Sequence, residues 1–204
     1  KRIVYIHSNN HDVGGADYCL QRMANEFSIK YDVITCLRID TKITNTYSSN
    51  KIPIFVFNFY RPPLSSGFLP LLLFPFYVLR DTLKFIKFLN NQQPDLIHVN
   101  DLYDFIPALS AKILKIPVIY HLRMIRKNSL QSKIFSIMLN SLATRTISVS
   151  RAVHDHYFKN LNYINQNHKV IYDWPNDSLI KFEPDKSIPK GFNKNYPIVL
   201  VGRI

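Results

Sequence analysis

The chain has 204 residues, with 26 Lys and Arg against 14 Asp and Glu, so its formal charge is +12. With 47% hydrophobic and 13% aromatic residues it can bury a core, which excludes a disordered chain, and its length suits one domain or one plus part of a second. Cys19 and Cys36, its two cysteines, are too few for a disulfide scaffold and lack the paired spacing of a zinc site; they read as ordinary thiols of a cytoplasmic protein.

Short β-rich runs alternate with longer helical patterns along the chain. Strands are expected at Ile3–Ser8, Tyr31–Leu37, Ile52–Phe59, Asp95–Asn100, Pro117–Leu122, Thr146–Ser150 and Lys169–Tyr172. Most are continuously apolar, as strands covered by helices on both faces must be. Helices fit at Gly15–Ser28, Phe76–Asn91, Tyr103–Leu114, Leu130–Ala143 and Arg151–Asn160, while 38–51 is polar and turn-rich and reads as a loop. The fold class is therefore α/β, a Rossmann-like, doubly wound, mostly parallel sheet.

The stretch Phe68–Leu79, FLPLLLFPFYVL, is the most hydrophobic part of the chain. It is too short for a membrane span, and Pro70 and Pro75 are expected to interrupt a helix there. Two readings follow for 68–89: a loop and buried helix against the sheet, or an interfacial patch whose aromatics meet lipid while Arg80, Lys84 and Lys87 meet anionic headgroups. Packing against the sheet is the expected outcome, because helices of such folds bury one face.

The first unit is expected to span 1–175. Residues 176–195 turn polar, charged and proline-bearing, as a linker would, and 196–204 look like the first strand of a further domain. The first residue is Lys, and the N-terminal apolar run Ile3–Ile6 is too short for a signal peptide. These features suggest a piece of a longer two-domain protein.

Ligands of open α/β sheets bind where loops leave the carboxyl ends of strands. The first such loop runs from His7 into Gly14-Gly15-Ala16-Asp17 and a helix; two glycines permit close backbone approach, and a helix N-terminus suits phosphate. A glycine turn needed only for packing explains the same residues equally well. The loop lacks the third glycine of a dinucleotide fingerprint, so NAD is a poor fit. The fourth strand delivers Asn100 and Asp101 to the same edge as candidate substrate-binding groups, with His98 deeper in the strand as a core histidine. The fifth ends in His121, followed by Arg123, Arg126 and Lys127. An imidazole there can bind a sugar hydroxyl or stabilise developing charge, and Arg123 would attract an anionic substrate. Ser150 fits a helix N-cap. The basic excess is uneven, 11 bases against 7 acids up to residue 100 and 15 against 7 beyond it. That favours nucleotide phosphates or an anionic membrane as partners; nucleic acid is not expected, since no Lys/Arg run is present.

Taken in order, Gly14–Asp17, Pro94–His98, Pro117–His121, Val149–Val153, Lys169–Tyr172 and Val201–Ile204 resemble the motifs of family 4 (group 1) glycosyltransferases with the two-domain GT-B fold, over essentially the whole chain. Asp173–Asp177 departs from the family's N-G-[VI]-D turn, and no role is carried onto it. The resemblance implies transfer of a sugar, with retention, from a nucleotide-diphosphate donor to a glycan or lipid-linked acceptor, in polysaccharide biosynthesis. It also implies that the Gly14-Gly15 loop lies near the donor diphosphate, that His121 is the cleft histidine and Arg203 the phosphate-binding arginine, and that neither metal nor cofactor is needed. The family's downstream lysine and E-x7-E element fall after Ile204, so the chain alone is expected to be inactive and to rely on its C-terminal domain. Two alternatives remain: a nucleotide-sugar epimerase of the same architecture, and a non-catalytic basic membrane-binding module at the inner face of the membrane.

Overall fold

The computed structural model describes residues 1–8, 14–38, 52–59, 68–126, 129–159 and 167–173. Lys1–Asp173 form one compact unit. The expected loop at 38–51, apart from Arg38, the linker at 176–195 and the strand at 196–204 lie outside the described residues.

Seven strands form one parallel sheet: β1 Arg2–His7, β2 Asp32–Leu37, β3 Ile54–Val56, β4 Leu96–Val99, β5 Val118–Leu122, β6 Arg145–Ser148 and β7 His168–Val170, in the order β3-β2-β1-β4-β5-β6-β7. The order reverses between β1 and β4, which is the position where doubly wound sheets open a crevice for a ligand. Five helices are described: α1 Gly15–Ser28, α2 Phe68–Gln92, α3 Phe105–Ile113, α4 Ser129–Leu142 and α5 Arg151–Phe158.

Strand alternation divides the core into two layers. Val4, Ile6, Ile97, Val99, Val118, Tyr120 and Leu122 face α2 to α5 and pack with Phe85, Leu89, Ala108, Leu139 and Phe158. Ile3, Tyr5 and Val33 face the other way, toward Leu20 and Ala24 of α1. Residues His7, His98 and His121 occupy this second set of positions, so the histidines of three strands share the α1 side of the sheet. Ser150 caps α5 as expected, its Oγ accepting the Val153 N–H at 3.2 Å.

The main departure is α2. It starts eight residues before the expected helix and contains Pro75. Pro70 lies in the first turn, where a missing N–H removes no intrahelical bond. Pro75 is exposed. Only the rear of α2 seals the core: Phe85 meets Phe57 and Phe59, and Phe88 meets Phe57, all edge-on at 4.9–5.2 Å between ring centroids. Leu72, Phe76, Leu79 and Leu83 are 57–64% exposed. The expectation that this apolar segment packs against the sheet therefore fails for its front half.

The two faces of α2 should respond differently to truncation. Phe85→Ala is expected to cost about 3–5 kcal/mol by opening a cavity, whereas Leu83→Ala should stay within about 0.5 kcal/mol. Denaturant unfolding measures both, and equal losses would contradict the packing described.

Candidate functional site

The site sits at the carboxyl edge of β1, β4 and β5. His7 ends β1, buried, and its Nε2–H donates to Asp17 Oδ1 at 3.0 Å. Asp17, in the first turn of α1, accepts the Gly14 N–H on its other oxygen at 2.7 Å, satisfying one of the free donors of the helix start. Burial by itself would raise the Asp17 pKa, but hydrogen bonds from His7 and from the Gly14 N–H, with the electrostatic pull of His7, outweigh it and hold the carboxyl below the usual carboxylate range.

Asn100, just past β4 and 3% exposed, joins this pair to β5. Its Nδ2 donates to His7 Nδ1 at 3.3 Å and to the Ala16 carbonyl at 3.4 Å. Its Oδ1 accepts from Arg123 Nε at 2.9 Å. Arg123 also bonds Asp173 through Nη1 and His121 Nδ1 through Nη2, the latter at 3.4 Å. Nearby, the Ser8 N–H and hydroxyl both donate to Asp104, which precedes α3.

Arg123 can only donate, so His121 Nδ1 must accept, and the neutral ring then carries its proton on Nε2. That Nε2 is buried and meets no hydrogen-bond partner among the described residues. Leaving such a donor unmade costs about 1–3 kcal/mol; a ligand oxygen at the sheet edge would satisfy it. Burial, then the charge of Arg123, then His98 push the His121 pKa down to about 2. His98, 5.5 Å away between ring centroids, is pushed down to about 3 by burial and Arg123. Both rings are therefore neutral at physiological pH. His121 can donate a hydrogen bond, but it is poorly suited to accept a proton.

The other candidates are distributed as follows. Asp101 Oδ1 accepts the Tyr103 N–H at 2.9 Å, shaping the turn from β4 to α3. Gly14 is the α1 N-cap at φ −112° and ψ 177°, extended backbone open to any residue. A Cβ at Gly14 would meet Asp17 at an ordinary 3.5 Å, and one at Gly15 would meet nothing within 4 Å. Among the described residues, neither glycine is thus required by packing, and none fills the space at Gly15. Arg203 lies outside the described residues. The sequence reading missed the partnership of His7 and Asp17. Its signal was available: a strand-final histidine and an acid at the third helical position. Among the described residues no group of three or more His, Cys, Asp or Glu is arranged to hold a metal ion.

The sequence pattern of Glycosyltransferase Family 4 matches residues 13–174. The chain belongs to Glycosyltransferase Family 4. No curated protein matches it significantly. Among solved structures, Anabaena Alr3699/HepE in complex with UDP-glucose is similar at 21% identity and a TM-score of 0.68, covering 90% of this chain and 46% of that one. A glycosyltransferase from Rickettsia africae aligns at 16% identity and a TM-score of 0.65, over 91% of this chain and 47% of its own. UDP-GlcNAc 2-epimerase from Neisseria meningitidis, bound to UDP-GlcNAc, aligns at 13% and 0.53, over 83% and 45%. At these identities the likeness is one of fold, the Rossmann-like unit of GT-B enzymes. The family 4 chain spans just under half the length of these structures.

The neutral histidines set a stability slope. Each is unprotonated in the folded state but titrates near 6.5 when unfolded. Below pH 6.5 the unfolded state binds more protons, so this part of the stability is complete above pH 6.5 and is lost as pH falls toward about 3 for His98 and about 2 for His121. The expected loss is about 1.4 kcal/mol per pH unit for each histidine. Urea unfolding between pH 7.5 and 5 checks this: His98→Leu should flatten the slope by one proton, and a wild type with no slope would refute it.

Proposed function

We propose that this chain is the acceptor-side domain of a retaining glycosyltransferase that moves a hexose from a nucleotide-diphosphate donor to a glycan or lipid-linked acceptor in polysaccharide biosynthesis. The observation that carries the reading is the buried His121 Nε2–H at the carboxyl end of β5, held neutral and without a partner among the described residues, at the edge where α/β sheets receive ligands. A neutral donor fits a sugar hydroxyl or a developing oxyanion, because it stabilises charge without itself having to change protonation state. The start of α1 at Gly15, where a Cβ would meet no described residue within 4 Å, suits a diphosphate. HepE and the Neisseria epimerase were both captured with UDP-sugars, which supports donors of that chemistry.

The leaving diphosphate gains negative charge as the glycosidic bond breaks, and fixed cationic donors are the means of neutralising it. We assign that task to Arg203, with Arg123 positioning His121 and Asn100. No cofactor is invoked, and the compartment we favour is the cytoplasm. Residues beyond Ile204 would complete the donor site, so the 204-residue chain by itself should not turn over.

In the full-length protein, His121→Ala should lower kcat/KM by about 10²–10³-fold, and Arg203→Ala should reduce turnover with a large rise in donor KM. Unchanged rates in either variant, measured with the donor found by a nucleotide-sugar screen, would sink that residue's role. Gly15→Ala should leave the unfolding midpoint unchanged or slightly higher, since Ala favours a helix, while weakening binding of the nucleotide sugar by calorimetry. Equal affinity in wild type and variant would remove the diphosphate from this loop. Product analysis by NMR separates transfer with retention from epimerisation, which needs no acceptor.

A further inference from the structure

The largest unexplained feature is the outer face of α2. Leu72, Phe76, Leu79 and Leu83 recur at helical spacing and therefore line one side of the helix, each 57–64% exposed. Truncating any of them removes little packing, because the core contacts of α2 come from Phe85, Phe88 and Leu89 on the opposite side. Arg80, Lys84 and Lys87 follow at the same spacing one residue on, so a basic edge runs along the apolar stripe. Asp81, the sole acid of α2, is buried and paired with Arg80 at 2.7 Å. Lys84 and Lys87 are exposed and enter no ion pair among the described residues. Arg80 lies over the Tyr77 ring, 5.0 Å from its centroid.

We propose that this face docks the protein on an anionic lipid bilayer, with Leu72, Phe76, Leu79 and Leu83 entering the interface and Lys84 and Lys87 meeting the headgroups. Charge selects this occupant. A second copy of a +12 chain would bring like charge against the basic edge, whereas phosphate-rich headgroups offset it. The described helices include none long and apolar enough to cross a membrane, and a stripe beside a basic edge is the pattern of a helix lying in the interfacial plane.

Position adds a consequence. Phe74 meets Phe105, the first residue of α3, at 6.1 Å between ring centroids. The preceding residue, Asp104, accepts both hydrogen bonds from Ser8 at the end of β1. The front of α2 is thus two residues of contact away from the candidate site, and docking would hold the carboxyl edge of the sheet beside the bilayer. The proposal stands on α2 alone and does not require the transferase reading.

The test is co-sedimentation of the full-length protein with phosphatidylcholine vesicles, with and without phosphatidylglycerol. Wild type should bind only the anionic vesicles and be released by high salt. Lys84→Glu with Lys87→Glu, and separately Leu79→Glu with Leu83→Glu, should each weaken binding on the order of tenfold or more, with circular dichroism and affinity for the nucleotide sugar unchanged. Any of three results would overturn the proposal: no wild-type binding to anionic vesicles; binding that both double variants retain; or a change of oligomeric state in the variants without loss of vesicle binding, which would assign the stripe to a second copy. Loss of donor affinity in wild type would count against the transferase reading and leave this one intact.

Discussion

Everything at the carboxyl edge depends on one hydrogen-bonded chain running from Arg123 through Asn100 and His7 to Asp17. Its two ends have fixed polarity. Arg123 has only donors and ionised Asp17 only acceptors. Between them no freedom of orientation remains: Asn100 must turn its oxygen to Arg123 and its amide to His7, and His7 must accept on Nδ1 and donate from Nε2. The tautomer of a buried histidine and the flip of a buried amide are thereby determined by groups as near in sequence as Asp17 is to His7, 10 residues, and as distant as Arg123 is from Asn100, 23 residues, across three strands and a helix. Such a chain is satisfied along its length, so the desolvation that makes a half-made polar network costly is offset at each link.

The same constraint explains why His121 Nε2 is left unmade among the described residues. Arg123 spends Nε on Asn100, Nη1 on Asp173 and Nη2 on His121 Nδ1, and the other nitrogen of His121 has no partner among the described residues. Burial and the neighbouring guanidinium then keep the ring from gaining a second proton. The fold thus presents an uncharged hydrogen-bond donor at the carboxyl end of β5, and its preorganisation comes from the network behind it.

Much of this architecture was legible in the residues. Continuous apolar runs such as Val33–Leu37 and Pro117–Leu122 could be nothing but strands covered on both sides, and the seven strands with their connecting helices follow from that periodicity together with the parallel-crossover rule. Strand alternation also put Asn100 and His121 at the right edge. Two things were not legible. The pairing of His7 with Asn100 joins residues 93 positions apart, and no local pattern encodes a contact between the ends of different strands. The proline rule misjudged α2: Pro70 falls in a first turn that needs no N–H, while Pro75 stands inside the helix with its ring exposed.

That last point bears on why α2 is built as it is. A helix of 25 residues extends about 37 Å, roughly twice the length of a five-residue strand, so a sheet of this kind can cover only part of it. The rear half follows the usual rule, with Phe85 and Leu89 fully buried. The front half keeps the hydrophobicity of a core helix but is tethered mainly through Phe74 and Phe105. Had solvent been its only environment, polar residues at 72, 76, 79 and 83 would have left the packed side untouched and removed an aggregation hazard. Large apolar side chains on that side, bordered by lysines, are consistent with selection for a surface that is itself apolar and negatively charged at its boundary.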